Sequence, residues 1–239
     1  VSSRYENAKK TGSLQLSGLK LSRIPEDVQK LKHLRILDLS CNGIHSLDPW
    51  IGLLSSLKLL NVSGNKLVHL PTDITLLTKL EVLNVSMNRL TSLISSSSSA
   101  NFETLRNLRT VDLSGNNISE FPVELCSEAI PLDLLDLSKN DIAIVPTCIE
   151  SLQAIELNLN SNKVSVVAES IGKCPRLRVL RLAHNRLRLE DFPLEILEKS
   201  NVSLLAIEGN PLSVKALQEH PSYAKYMERY TATKRKAMP

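Results

Sequence analysis

The feature that most limits how this chain can fold is an eleven-residue segment that recurs eight times. Its copies read LRILDLSCNGI, LKLLNVSGNKL, LEVLNVSMNRL, LRTVDLSGNNI, LDLLDLSKNDI, AIELNLNSNKV, LRVLRLAHNRL and VSLLAIEGNPL. Each copy places an asparagine after its apolar core, at Asn42, Asn65, Asn88, Asn116, Asn140, Asn162, Asn185 and Asn210. Successive asparagines lie 22 to 28 residues apart. Copies in register at this period indicate a repeat architecture.

Inside each copy, apolar residues alternate with outward ones, which is typical of a strand with one buried face. One copy cannot bury that face alone, but stacked copies can, and each buried leucine contributes about 1.5–3 kcal/mol. This is the leucine-rich-repeat pattern, and a degenerate ninth copy, SLQLSGLKL, begins at Ser13. It predicts an α/β fold, a leucine-rich-repeat solenoid curved like a horseshoe. Its concave face would be a parallel sheet of about nine strands.

The asparagines are expected to turn inward where each strand ends. Their amides can serve backbone groups that the turn leaves unpaired, so we interpret them as structural. After several strands an apolar residue precedes a proline, at Pro25, Pro71, Pro122 and Pro146. Since proline favours an extended preceding residue, the convex side should start extended and continue as short helical or 3-10 turns, such as 73–77.

The exposed ends of such a stack need caps. We therefore divide the chain into an N-terminal helical cap (1–12), the repeats (13–212), and a C-terminal helical cap with a basic tail (213–239). Near the start, Ser3 and Glu6 have the spacing of a capping box, which predicts a helix over 4–11 that stops at Gly12.

At the other end, Ser213 is expected to cap a helix that stops before Pro221, and Ser222 to cap the last helix. In that last helix one stripe is formed by Tyr223, Tyr226, Met227 and Tyr230. The stripe either closes the final repeat or forms a surface for a partner or a membrane.

The charge distribution argues against a nucleic-acid binder. The formal net charge is +4, but residues 211–239 alone carry six basic and two acidic residues, so the repeats themselves are nearly neutral. Aromatic residues are only 3% of the chain, too few to interleave with basic residues as stacking platforms.

The residues that could carry chemistry are sparse. Four cysteines, Cys41, Cys126, Cys148 and Cys174, lack paired spacing, so we expect free thiols in a reducing compartment and no metal site. The chain has no nucleophile elbow, P-loop, GxGxxG or HExxH motif. We therefore expect no catalytic residues and no cofactor.

Two rows of outward residues are the candidate binding surface. The middle outward position reads Gln15, Asp38, Asn61, Asn84, Asp112, Asp136, Asn158, Arg181 and Ala206. The position two residues earlier is mostly apolar and reads Ser13, Ile36, Leu59, Val82, Thr110, Leu134, Glu156, Val179 and Leu204. From these rows the predicted partner-binding residues are Asp38, Asn61, Asn84, Asp112, Asp136, Glu156, Asn158 and Arg181. The alternative is structural, because the apolar row can pack on its neighbours and the polar row can hydrogen-bond laterally.

The longest repeat contains a serine run, Ser95–Ser99, where its neighbours proceed directly to the convex segment. We expect a mobile loop, which serves either as solvated filler or as a phosphorylation or docking site. Four glycosylation sequons also occur, at Asn61, Asn84, Asn117 and Asn201. Because the repeat itself creates the first two, we treat them as accidents of the pattern.

Three segments carry a more specific resemblance: NAKKTGSLQLS (7–17), IELNLN (155–160) and KYMERYTATKRK (225–236). With the apolar–proline repeats, they resemble the small intracellular leucine-rich-repeat proteins related to Ras-pathway scaffolds. The serine run departs from that pattern. The resemblance implies a protein without catalytic residues and an acylated N-terminus upstream of Val1.

These observations predict a monomeric cytoplasmic adaptor that binds a partner protein on its concave face. The alternative is a peripheral membrane protein, held on an anionic surface by N-terminal acylation and the basic C-terminal helix. A secreted or receptor ectodomain is disfavoured by the free thiols and the missing cysteine caps.

Overall fold

The computed structural model describes residues 2–95 and 100–237, and its fold is a leucine-rich-repeat solenoid. The helices are α1 (Ser2–Thr11), α2 (Glu195–Glu198), α3 (Val214–Glu219) and α4 (Tyr223–Ala237). The strands are β1 (Ser13–Gln15), β2 (Ile36–Asp38), β3 (Leu59–Asn61), β4 (Val82–Asn84), β5 (Thr110–Asp112), β6 (Leu134–Asp136), β7 (Ile144–Val145), β8 (Glu156–Asn158), β9 (Val166–Val167), β10 (Val179–Arg181) and β11 (Leu204–Ala206).

The chain divides into two compact units. The first comprises Val1–Ile118 with Ala129–Leu132, and the second comprises Ser119–Glu128 with Asp133–Pro239. In the first unit β1 to β5 pair in parallel in chain order. In the second, β6 pairs with β8, β8 with β10 and β10 with β11, also in parallel. Apart from β7 and β9, the described residues thus contain the nine strands that the repeat predicts.

The core of each unit is a set of leucine columns. The central residues of the strands point inward, so that Leu14, Leu37 and Leu60 are fully buried in the first unit and Leu135, Leu157 and Leu180 in the second. In the last strand, Leu205 is half-buried. The apolar residues that precede and follow the strands are buried with them. The alternation predicted from the sequence is confirmed, and it leaves the flanking strand residues facing outward.

Within each unit, the asparagines after the strands join successive repeats to one another. The Asn116 Oδ1 atom accepts from the backbone N–H of Leu90 (3.0 Å), and its Nδ2 donates to the carbonyls of Val85 (3.1 Å) and Leu113 (2.9 Å). The same three-way pattern recurs at Asn42, Asn65, Asn88, Asn162, Asn185 and Asn210. The predicted structural role of these amides is confirmed.

We call the eight asparagines that follow the strands the asparagine ladder. The residue directly before each of them is held in the left-handed backbone region. The chain reverses there so that the amide can turn inward, with φ of 54° at Met87 and 65° at Gly115. Glycine adopts this conformation without a steric penalty, whereas a side chain costs about 1 kcal/mol. Met87 and Gly115 occupy this position in neighbouring repeats, and the methionine side chain lies over the glycine. A Cβ on Gly115 would lie 2.6 Å from the Met87 sulfur.

The convex side begins extended and continues as 3-10 turns. Four of these turns directly follow a proline: Glu26–Lys30, Thr72–Leu76, Val123–Leu125 and Thr147–Ser151. In the second unit the extended segments that begin two convex stretches, β7 and β9, pair with each other as a separate two-stranded parallel sheet. The predicted turn at 73–77 is present, one residue earlier than expected.

At the N-terminus α1 lies against β1, where the Arg4 guanidinium donates to the Gln15 carbonyl (2.9 Å). The helix stops at Gly12, which has φ of 70°, as predicted. The capping-box prediction was wrong. Because α1 begins at Ser2, Ser3 lies inside its first turn, and Glu6 pairs instead with Lys9 (2.7 Å).

At the C-terminus Ser213 caps α3 as predicted, since its hydroxyl accepts from the Ala216 N–H (3.2 Å). Ser222 directly precedes α4, but its hydroxyl donates to the Glu198 carboxylate. That bond lowers the pKa of Glu198 and ties the start of α4 to α2.

Two inward side chains fasten α4 to the last repeat. Tyr226 is buried, and its hydroxyl accepts from the Leu205 N–H (3.1 Å). The Arg229 guanidinium donates to the carbonyls of Val202 (2.8 Å), Leu197 (2.9 Å) and Ile196 (3.0 Å). Of the predicted stripe, Tyr226 packs onto the last repeat, whereas Tyr223, Met227 and Tyr230 remain half-buried. Arg229 does not contribute to a free basic surface.

The asparagine ladder leads to a stability prediction. Replacing Asn116 by alanine leaves the Leu90 N–H and two carbonyls without their partner in the core, so the free energy of unfolding should fall by about 2–4 kcal/mol. Urea denaturation followed by circular dichroism measures the change. The exposed neighbour Asn117→Ala is the control and should change it by less than about 0.5 kcal/mol. Equal losses in the two variants would contradict this role.

Candidate functional site

The outward residues of the strands form the surface that we call the sheet face. In the first unit the register aligns Gln15, Asp38, Asn61, Asn84 and Asp112 in one row. In the second unit Asp136, Asn158, Arg181 and Ala206 align in the equivalent row. Both rows match the order predicted from the sequence. Adjacent members stand on neighbouring strands, about 4.8 Å apart.

The polar row has a structural task that the sequence analysis did not identify. Where a strand ends in Asp or Asn, the Oδ1 atom accepts from the backbone N–H two residues later, as at Asp38 with Ser40 (2.9 Å) and Asp112 with Ser114 (2.9 Å). The same bond is made by Asn61, Asn84, Asp136 and Asn158. This local turn needs an oxygen on a short side chain, so aspartate and asparagine serve equally well.

The second oxygen or the amide nitrogen of these residues remains available to the sheet face. In the second unit the Asn158 Nδ2 uses it laterally, donating to the Asp136 Oδ2 (3.0 Å). All six Asp and Asn side chains are half-buried. Each of these side chains therefore uses its Oδ1 atom for the turn at the strand end, and its other polar atom lies toward the sheet face.

Glu156 and Arg181 neutralise one another on the second unit. The Arg181 Nε donates to the Glu156 Oε1 at 2.7 Å, and both side chains are about one-third exposed. An ion pair this exposed contributes less than about 1 kcal/mol, so a partner can displace it at low cost. Of the other arginines in this repeat, Arg176 pairs with Asp133 (2.7 Å) and Arg178 reaches the Asn201 carbonyl (3.3 Å).

The apolar row lies beside the polar one. In the first unit Ile36, Leu59 and Val82 occupy successive strands in register, and Ile36 keeps 36% of its surface exposed. In the second unit Leu204 keeps 37% exposed. These side chains pack partly on their neighbours and partly face solvent. A half-exposed apolar strip beside a polar row is the composition of a small protein-binding surface.

Three cysteines of the second unit lie close together, which the sequence analysis missed. Burial raises the pKa of the Cys126 thiol, and Cys148 and Cys174 raise it further. Burial also raises the pKa of Cys174 to about 12, and its thiol donates to the Ile149 carbonyl (3.1 Å). Thiols that stay protonated at neutral pH are poor nucleophiles. Their occurrence in three successive convex segments was the available signal, because stacking superposes such segments.

The described residues hold no group of three or more His, Cys, Asp or Glu side chains placed to bind a metal ion. Within 2–95 and 100–237, no helix combines the length and apolarity needed to cross a bilayer. The serine run Ser95–Ser99, apart from Ser95, falls outside the described residues, so its expected role stays a prediction.

Comparison with known proteins finds leucine-rich repeats in two parts of the chain. A leucine-rich-repeat family model matches residues 32–90, and a second leucine-rich-repeat model matches residues 107–128. Among solved structures, a plant ice-binding protein shares the fold, with a TM-score of 0.63 and 24% identity, over 84% of this chain and 65% of that one. A leucine-rich-repeat protein of Leptospira interrogans is 27% identical, with a TM-score of 0.47, over 88% of this chain and 63% of that one.

Curated relatives match parts of the chain. Receptor like protein 28 of Arabidopsis thaliana is 32% identical over 48% of this chain. Leucine-rich repeat and calponin homology domain-containing protein 1 of Mus musculus is 38% identical over 32%, and Tsukushi of Gallus gallus is 30% identical over 50%. The chain spans 16%, 11% and 32% of their respective lengths.

Proposed function

Because this chain is built of leucine-rich repeats, we propose that it is a non-catalytic adaptor that binds a partner protein on its sheet face. The observation that carries the proposal is the in-register pair of rows, polar beside apolar, on successive strands of each unit. Repeat proteins commonly bind other proteins across such surfaces. The relatives are consistent with this class of function, although each matches only part of this chain.

The charge of the first unit's row indicates the kind of partner. Asp38 and Asp112 are acidic, and within residues 2–95 and 100–237 neither carboxylate forms an ion pair. They accept hydrogen bonds from backbone N–H groups and, at Asp112, from the Ser114 hydroxyl. A basic partner surface with apolar side chains at its centre would complement both rows. Asp136, Asn158 and the Glu156–Arg181 pair would offer a second contact area on the other unit.

The turn bond of the polar row suggests a variant that changes charge without changing the backbone turn. Asn61 and Asn84 already make the same turn bond that Asp38 and Asp112 make, so Asp38→Asn with Asp112→Asn removes two charges and keeps the turn. We expect the free energy of unfolding to change by less than about 0.5 kcal/mol. Retention of the partner in quantitative pull-down should fall by about five- to thirtyfold, because each of the two lost charge contacts weakens binding by roughly 0.5–1 kcal/mol.

The matched control is Glu26→Gln with Asp27→Asn, which removes two charges from a convex turn of the same unit. It should retain every protein that the wild type retains. If the sheet-face variant and this control retain the same proteins in the same amounts, the sheet face is not the binding surface.

The membrane alternative is supported by one specific feature. Lys234, Arg235 and Lys236 are exposed on the last turn of α4, where they can face an anionic surface. Arg229, which adds to the tail's charge in the sequence, is turned into the last repeat instead. The basic surface is therefore smaller than the sequence suggests.

Sedimentation with phosphatidylcholine vesicles, with and without phosphatidylserine, tests this alternative. Changing all three exposed tail residues to alanine should weaken binding at least tenfold, because each cation contributes about 1 kcal/mol near an anionic surface. Binding that is unaffected by the triple substitution, or by the phosphatidylserine content, would exclude the tail as a membrane contact.

We also propose a closer relationship between this chain and one particular leucine-rich-repeat protein. The segments 7–17, 155–160 and 225–236 resemble leucine-rich repeat-containing protein 57, and a cytoplasmic, monomeric protein would agree with that resemblance. The free cysteines of the described residues suit a reducing compartment.

A further inference from the structure

Basic side chains collect around a depression in the first unit, beside the points where three strands begin. The depression has a volume of about 370 Å³. The ionisable residues that line it are Lys9, Lys10, His33, Arg35, Lys58 and Lys79. Five of these residues are lysine or arginine, one is histidine, and none is acidic. We call this group the basic edge site.

The repeat architecture explains why these residues meet. Arg35 and Lys58 directly precede β2 and β3, and Lys79 stands three residues before β4, so all three lie along one edge of the sheet. Helix α1 ends at the same edge, because the Gly12 carbonyl accepts from the N–H groups of Arg35 (2.7 Å) and Ile36 (3.0 Å). The last turn of α1 thereby brings Lys9 and Lys10 to the depression.

The positive charge at this edge is only partly neutralised. Lys9 pairs with Glu6 (2.7 Å) and Lys58 pairs with Glu81 (2.8 Å). Lys10 and Lys79 are exposed, and neither takes part in an ion pair among the described residues. The Arg35 guanidinium donates to the Thr11 carbonyl (3.0 Å), which fixes its position at the rim.

Stabilisation of α1 does not account for the whole group. Cations near a helix C-terminus interact favourably with its dipole, and this explains Lys9, Lys10 and Arg35. Lys58 and Lys79 belong to the segments before β3 and β4, beyond the last turn of the helix. Like charges brought together from three repeats repel one another unless an anion lies between them.

We propose that the basic edge site binds a small anion with at least two phosphate groups. A phosphate monoester carries about −1.5 to −2 charges at neutral pH, so two of them balance the surplus of the five cations after Glu6 and Glu81 are counted. Lysine binds phosphate as a point charge, and a held guanidinium can bind it through two parallel N–H groups. The anion is either a free polyphosphate or the headgroup of a phosphorylated lipid. This site is separate from the sheet face.

The test compares two double variants of equal charge change. Lys10→Glu with Lys79→Glu alters the basic edge site, whereas Lys66→Glu with Arg89→Glu alters two exposed cations of the same unit that follow the strands instead. The probe is inositol hexakisphosphate, titrated by calorimetry at low ionic strength. We expect the site variant to weaken binding by about tenfold or more, since each lost contact is charge-assisted, and the control by less than about twofold.

Two further arms complete the experiment. Vesicles with phosphatidylinositol 4,5-bisphosphate, compared with phosphatidylserine vesicles, distinguish the sources: selective vesicle binding that the site variant loses assigns the lipid headgroup, and binding of the soluble probe alone assigns a free polyphosphate. Lys10→Gln with Lys79→Gln repeats the measurement without reversed charges, in case the glutamate variant does not fold. No binding by the wild type, or equal weakening by the site and control variants, overturns the proposal.

Discussion

The side-chain amide of one asparagine per repeat is the interaction on which the rest of the structure depends. A strand of three residues exposes backbone groups wherever it ends, and those groups cannot be buried without partners. The asparagine supplies these partners for its own turn and for the preceding repeat at once. Within each unit these amides therefore join neighbouring repeats inside the apolar core, and the period of the asparagines determines the register of the strands.

That register limits what the sheet face can be used for. Because each strand-end Asp or Asn must offer an oxygen to the following turn, only its charge and its second polar atom are free to vary. Six positions of the polar row therefore hold Asp or Asn, whereas Gln15, Arg181 and Ala206 lack this turn bond. After Arg181, the Ala183 N–H donates to Asn160 instead. The same constraint means that an exchange of Asp for Asn changes the charge of the row and keeps its turn bond.

Much of the fold could be predicted from the sequence, and the reasons for the exceptions are physical. The outward rows follow directly from the asparagine period, and Gly12 and Ser213 end or begin helices through local chemistry. By contrast, Cys41, Met87, Lys139, Ser161 and His184 adopt left-handed backbone although no glycine marks them, because the ladder amide must turn inward there. The inward Arg229 was counted as tail charge, since a sequence does not show which carbonyls lie within its reach. The basic edge site arises only when α1 and three successive repeats are placed side by side.

Hydrogen exchange of individual backbone amides tests the central role of the asparagines most directly. The N–H groups of Ile44, Leu67 and Leu90 point at ladder amides of the following repeat, outside any strand. If the ladder holds the repeats together, these amides exchange as slowly as those of the buried strands, and only when a repeat opens. Exchange as fast as that of exposed convex turns in the same unit would show that the asparagine bonds do not constrain the fold.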